Sequence, residues 1–313
     1  MTMRAFLQIG SLIAALAIAG CAGSAGSAGS TSMGLALPQQ ANVTPFAGGL
    51  AGTPHVLFVA GLGSDVGIYT NSLYAKNPSP MGTLSQGITR AQGLWVDRHG
   101  VLYVSNNTTP PSIVEYQPGA SAPFKTITVG LYTPGFIAVY PGGNLYVNDG
   151  PAHVLVYAPS AASPTQTIPI PHRACTFVGG LTIDKNSNLL VGTHSIITGA
   201  STIYSIAHGS TTVTALNLQG LGGDEIGTDA AGNLYAGGSG GSISVHAPGS
   251  TTPSRYINAG TYGFDGGMSV APNGAIYWAN WEMNEMFEFA PGASKPTNIV
   301  PSAGGIDAAL GLW

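Results

Sequence analysis

The chain of 313 residues carries 9 Lys+Arg and 13 Asp+Glu, so 7% of it is charged and its formal net charge is -4, whereas soluble domains average about 25% charged residues. Nine scattered cations cannot build a face that neutralises phosphates, which excludes a nucleic-acid partner, and a hydrophobic content of 44% excludes a disordered chain. The 46 Gly and 22 Pro that punctuate this apolar content point to many short strands joined by tight turns.

At the N-terminus, Arg4 precedes an apolar stretch from Phe6 to Ala19 with the layout of a secretory signal. The stretch is shorter than the ~20 apolar residues of a stable membrane span. Ile18-Ala19-Gly20-Cys21 closes it and resembles the lipobox of bacterial lipoproteins. That resemblance implies cleavage after residue 20, lipidation of Cys21 and residence at the bacterial cell envelope. Cys175, the other cysteine, is then left without a disulfide partner and reads as a small buried hydrophobe. Three Ala-Gly-Ser triplets follow, from Ala22 to Ser30, and residues 21–50 read as a flexible tether. Some thirty residues of this type reach ~30 Å.

From residue 56 to the end the chain repeats itself. The phrase Leu/Ile-Tyr-Val recurs in variant form at Phe58, Tyr103, Tyr146, Leu190, Tyr235 and Tyr277, at intervals of 42 to 45 residues. A strand six residues upstream of the anchor, as in Leu181-Thr182-Ile183-Asp184, is separated from it by turn residues such as Arg98-His99-Gly100 and Gly142-Gly143-Asn144. A third strand follows, as in Ile113-Val114-Glu115-Tyr116. A fourth opens with Pro123, Pro164, Pro253 or Pro296, and proline lacks the ladder N–H, which places that strand at the outer edge. Four antiparallel strands per repeat predict an all-β, six-bladed propeller over residues 51–313. Ala309-Leu310-Gly311-Leu312-Trp313 echoes Ala91-Gln92-Gly93-Leu94-Trp95. It is therefore expected to supply the inner strand of the first blade by pairing with Val56-Leu57-Phe58-Val59, which removes an exposed sheet edge.

This pattern resembles NHL-repeat propellers and the wider NHL-like superfamily, a likeness that speaks to architecture because propellers host many functions. The connections between blades and the hairpins between second and third strands share one face. That face is expected to receive Asp65, Asp149, Asp224, Glu225, Asp265, Glu282, Glu285 and Asp307, against Arg90 and Arg173. Asp224, Glu225 and Asp265 fall at the start of inner strands, beside the central channel, and are the candidate ligands of a divalent cation such as Ca2+. Asp97, Asp184 and Asp229 repeat beside turn glycines and read as hairpin-forming residues. Asn106, Asp149, His194, Asn280 and Trp281 are the candidate ligand-binding residues of the same face, His194 on a lengthened hairpin from Gly192 to Ser201. Some NHL-like lyases hold zinc with three channel histidines. Here His153, His172 and His194 occupy unmatched blade positions and read as scattered polar residues.

Two functions are weighed beside a blander one, a surface-coat component whose low charge suits close packing. The leading one is a monomeric, lipid-anchored, non-enzymatic propeller that binds a protein, peptide or carbohydrate on this face. The alternative is a divalent-metal-dependent hydrolase or lactonase, since gluconolactonase-like propellers resemble this fold and hold Ca2+ with a Glu, two Asn and an Asp. A Glu near Val56 to Val59 would complete that set, and the sequence lacks one.

Overall fold

The structure is a computed structural model, and it describes residues 56–61, 64–70, 80–150, 152–171, 176–195, 197–238, 241–258, 267–280, 285–301 and 306–312. Contacts divide the chain at Asn42/Val43, and everything described belongs to the second unit. Cys21, the tether, Cys175, His172, Asp265 and Trp281 lie outside the described residues.

The second unit is all-β, with six four-stranded antiparallel sheets arranged as a propeller. Blade 1 contains β1 (Val56–Gly61), β2 (Val66–Thr70) and β3 (Gly82–Leu84). Blade 2 contains β4 (Ala91–Val96), β5 (Leu102–Asn106), β6 (Ser112–Tyr116) and β7 (Lys125–Ile127). Blade 3 contains β8 (Pro134–Val139), β9 (Leu145–Asp149), β10 (His153–Tyr157) and β11 (Gln166–Pro169). Blade 4 contains β12 (Thr176–Ile183), β13 (Leu189–Ser195), β14 (Ser201–Ile206) and β15 (Thr214–Ala215). Blade 5 contains β16 (Glu225–Thr228), β17 (Leu234–Gly237), β18 (Ser242–His246) and β19 (Arg255–Asn258). Blade 6 contains β20 (Met268–Val270), β21 (Ile276–Asn280), β22 (Glu285–Phe289) and β23 (Asn298–Pro301).

The last strand, β24 (Ile306–Leu312), returns to blade 1 and completes the order β24-β1-β2-β3. Its register sets Leu57 opposite Leu312, Phe58 opposite Gly311 and Val59 opposite Leu310. The ring therefore closes as the terminal echo of the repeat predicts.

Turn chemistry sets each blade. Asp97 Oδ1 accepts the N–H groups of His99 (2.8 Å) and Val101 (2.9 Å). Asp184 Oδ1 does the same for Asn186 (2.9 Å) and Asn188 (2.8 Å), and Asp229 Oδ1 accepts from Asn233 N at 2.8 Å. The same hairpins place Gly100, Gly143, Gly232 and Gly274 at φ of 78°, 92°, 86° and 86°, where a Cβ would be strained. At the outer edge, ladder bonding resumes one residue after each proline. Phe124, Thr165, Ser254 and Thr297 donate to Glu115, Val156, Val245 and Glu288 at 2.9, 2.7, 2.7 and 2.7 Å.

The core lies in the seams between blades. Among the described residues, six apolar clusters each join one blade to the next: Ala60 and Val66 pack with Leu94 and Val104, and Leu57 and Val59 pack with Tyr277 and Met286 where the ring closes. Each fully buried aliphatic side chain stabilises by about 1.5–3 kcal/mol. The second strand is the most completely covered: every residue of β5, β9 and β21 is buried, whereas Met268, Ser269 and Val270 of inner strand β20 are half-buried. The inner strand gives one edge to the channel, and the second is enclosed on all sides.

Candidate functional site

By chain path, the connections between blades and the second-to-third hairpins lie on the upper face, and the first-to-second hairpins on the lower. On the upper face one repeat position stands out, three residues beyond each anchor. It is Asn106 in blade 2, Asp149 in blade 3 and Asn280 in blade 6, and these are 0%, 1% and 0% exposed. Asn106 Oδ1 accepts Thr89 N at 3.0 Å, and its Nδ2 donates to Gly87 O at 2.9 Å and Ser112 Oγ at 3.0 Å. Asp149 accepts Tyr132 N on both oxygens, at 3.0 and 2.9 Å, and Thr133 N at 2.5 Å. Both side chains are turned inward, each holding the connection that leads into its own blade. Carboxylate bonds to backbone N–H are charge-assisted and strong, so Asp149 fixes the Tyr132 backbone while the Tyr132 side chain stays 79% exposed. His153 Nε2 lies 3.9 Å from Asp149 Oδ2.

The inner strands enclose a channel cavity of about 260 Å3 whose lining includes Trp95, Phe136, Thr182, Glu225 and Met268. Glu225 belongs to this wall as its place at the start of β16 implies. Its Oε2 accepts a hydrogen bond from Trp278 Nε1 of blade 6 at 2.9 Å, and Trp278 is fully buried. Asp224 faces the other way. Its carboxylate lies over Gly179 of blade 4, where a Cβ would collide with it, and its carbonyl accepts Gly180 N at 3.0 Å. Successive strand residues point to opposite faces, so two acids adjacent in sequence serve different blades. Among the described residues no group of three or more His, Cys, Asp or Glu side chains is placed to hold a metal ion. The third candidate ligand, Asp265, is outside the described residues.

His194 sits near the end of β13, with Nδ1 3.3 Å from Ser201 Oγ across the hairpin. The lengthening there extends the strands themselves: β13 and β14 run for 7 and 6 residues, and Ile197 at the tip is 70% exposed. Sequence reasoning missed two features. The offset of three from the anchor groups Asn106, Asp149 and Asn280 and was readable from the repeat. The Glu225–Trp278 bond was not, because it joins residues 53 apart on different blades.

No protein-family model matches this chain, and no curated protein matches it. Among solved structures it is similar to a protein of unknown function from Bacteroides caccae. The TM-score is 0.60 at 15% identity, over 83% of this chain and 99% of that one. A likeness at that identity concerns the fold.

Proposed function

We propose that the chain is a lipid-anchored propeller of the bacterial cell envelope that binds a protein, peptide or carbohydrate on its upper face without transforming it. The observation that supports this reading is the commitment of the polar side chains there. Asn106 and Asp149 hold backbone groups, and Glu225 holds the Trp278 indole. A general acid, base or metal ligand needs its polar atoms turned toward a substrate. The NHL-like resemblance and the sequence up to Cys21 add an exported, tethered scaffold to that reading, with loops such as those of Tyr132 and Ile197 as its contact surface.

The test joins anchoring to activity. Wild-type protein expressed in a bacterial host is expected to incorporate labelled palmitate and to sediment with membranes, and Cys21→Ser to do neither. Unlabelled wild-type protein that still sediments would overturn the anchor. Hydrolysis of a lactone or ester panel that requires calcium and is lost in Glu225→Gln would overturn the binding role in favour of a metal-dependent hydrolase.

A further inference from the structure

The lower mouth of the channel holds a second cavity. It measures about 440 Å3, shares Trp95, Val96 and Ile183 with the channel wall, and is lined by the first-to-second hairpins of blades 2, 3 and 4. We propose that this lower mouth is a binding site for a neutral pyranose sugar, on Trp95, Arg98, His99 and Tyr140. The proposal is independent of what the upper face binds.

The residues here exceed what the turns require. Each hairpin needs a bracing residue and a positive-φ residue, and the two positions before that last residue are freer, except in blade 6, where Asn273 Oδ1 itself accepts Ala275 N at 3.0 Å. The two positions are Pro141-Gly142 in blade 3, Lys185-Asn186 in blade 4, whose lysine turns away from this cavity to donate to Ala231 O of blade 5 at 3.0 Å, Ala230-Ala231 in blade 5 and Pro272-Asn273 in blade 6. Blade 2 instead carries Arg98-His99, both exposed beside the cavity. Arg98 Nε donates to His99 Nε2 at 3.1 Å. A guanidinium only donates, so that ring nitrogen is the acceptor and Nδ1 carries the hydrogen. The pair therefore offers guanidinium Nη groups and an imidazole N–H to a ligand.

Small residues in blade 3 open the space. A Cβ on Gly142 would sit 3.2 Å from the Tyr140 ring, so glycine lets that ring lie along the turn. The ring is held by stacking on His208 of blade 4, with centroids 3.6 Å apart and planes 18° apart. Trp95 is half-buried in the same wall. The Tyr140 ring so fixed, with Trp95 beside it, presents apolar surface at low entropic cost to the ligand site.

Charge selects the ligand class. Asp97 and Asp184 line the cavity with Arg98, so an anion would meet two carboxylates for one guanidinium, and a cation would meet Arg98. Hydroxyl groups both donate and accept and suit a lining of mixed sign. A pyranose combines such hydroxyls with an apolar ring face, and 440 Å3 lies within the ordinary range of small-molecule sites.

The test is saturation-transfer NMR and calorimetry on the full chain with glucose, galactose, mannose and N-acetylglucosamine, with glucuronate and choline as charged probes. Saturable binding of at least one neutral sugar is expected, with transfer strongest to its ring C–H protons. Arg98→Ala and Tyr140→Ala should each weaken it by about tenfold, the equivalent of one or two lost contacts. Arg98 is exposed, so Arg98→Ala should keep the wild-type melting temperature. Failure of all four neutral sugars, binding indifferent to both variants, or tighter binding of glucuronate or choline would each overturn the proposal.

Discussion

Blades 2 and 6 carry the same cross-strand triplet with one change. In blade 2, Tyr103 of the second strand faces Glu115 of the third, which faces Lys125 of the fourth. In blade 6 the corresponding residues are Tyr277, Glu288 and Asn298. Both glutamates are buried, at 5% and 2% exposure. Glu115 has Lys125 Nζ at 2.8 Å, while Glu288 Oε2 and Asn298 Nδ2 are buried without hydrogen-bond partners. Burial pushes the Glu288 carboxyl above its ordinary range, and the Tyr277 hydroxyl offsets part of that. The repeat sets the register identically in both blades, and one outer-strand side chain decides whether the buried acid is compensated.

Breaking the compensated blade should have the largest effect. Lys125→Met leaves Glu115 buried beside the Tyr103 ring, and urea unfolding should show a loss of about 2–3 kcal/mol. The loss falls below the roughly 3–5 kcal/mol of fully buried pairs because Lys125 is 27% exposed and partly screened by water. Adding Glu115→Gln to Lys125→Met should recover most of that loss; a double variant no better than the single one would show that the lysine stem, not the charge, matters.

Relieving the uncompensated blade comes next. Glu288→Gln should raise stability by about 1 kcal/mol at neutral pH, the scale of one orphaned buried acceptor. Its folded pKa lies above the ordinary 4.5, so the folded state holds the proton over a pH range where the unfolded chain has released it. Wild-type stability is therefore lost as pH rises from about 4.5 through the raised value, and the gap between wild type and variant should open over that window and stay constant above it. Parallel stability curves at pH 4 and pH 7 would contradict this.

Converting blade 6 into blade 2 sharpens the comparison further. Asn298→Lys should stabilise by about 0.5 kcal/mol at neutral pH, because desolvation of the ammonium beside the buried acid offsets most of the pairing, and the gain should vanish in the Glu288→Gln background. A gain that persists there would locate its cause outside the pair.

The smallest effect concerns the next position along the third strand, where blades 2 and 6 have Tyr116 and Phe289 and blade 5 has His246. All three are about 1% exposed or less. His246 Nε2 lies 3.3 Å from Ser244 Oγ, Nδ1 has no partner, and burial holds the ring below its ordinary pKa of 6.5. The folded state binds fewer protons than the unfolded one, so wild-type stability is present above pH 6.5 and lost as pH falls toward the lowered value. His246→Phe should change neutral-pH stability by a few tenths of a kcal/mol, about the scale of a volume-conserving swap, and should flatten that acid decline.

Much of the fold was legible because its signals are local. Anchors from Phe58 to Tyr277 recur once per blade, Asp97, Asp184 and Asp229 make their own turns, and the prolines before β7, β11, β19 and β23 mark the outer edges. Even ring closure was readable, since the terminal echo lacks the second strand that Val56 to Val59 supplies. These are statements about period and turn chemistry, which a chain expresses within about 45 residues of itself.

What the side chains of those strands touch was decided between blades. Asp224 and Glu225 are neighbours in sequence, yet one lies over Gly179 of blade 4 and the other takes the Trp278 indole of blade 6. Asn106 and Asp149 sit on the upper face by period, and tertiary structure turns them under the loops they hold. Glu115 and Glu288 share a repeat position, and only packing shows that both are buried and that one is compensated. Periodicity is written in the order of residues, whereas burial and hydrogen bonding across a seam depend on two repeats meeting in space.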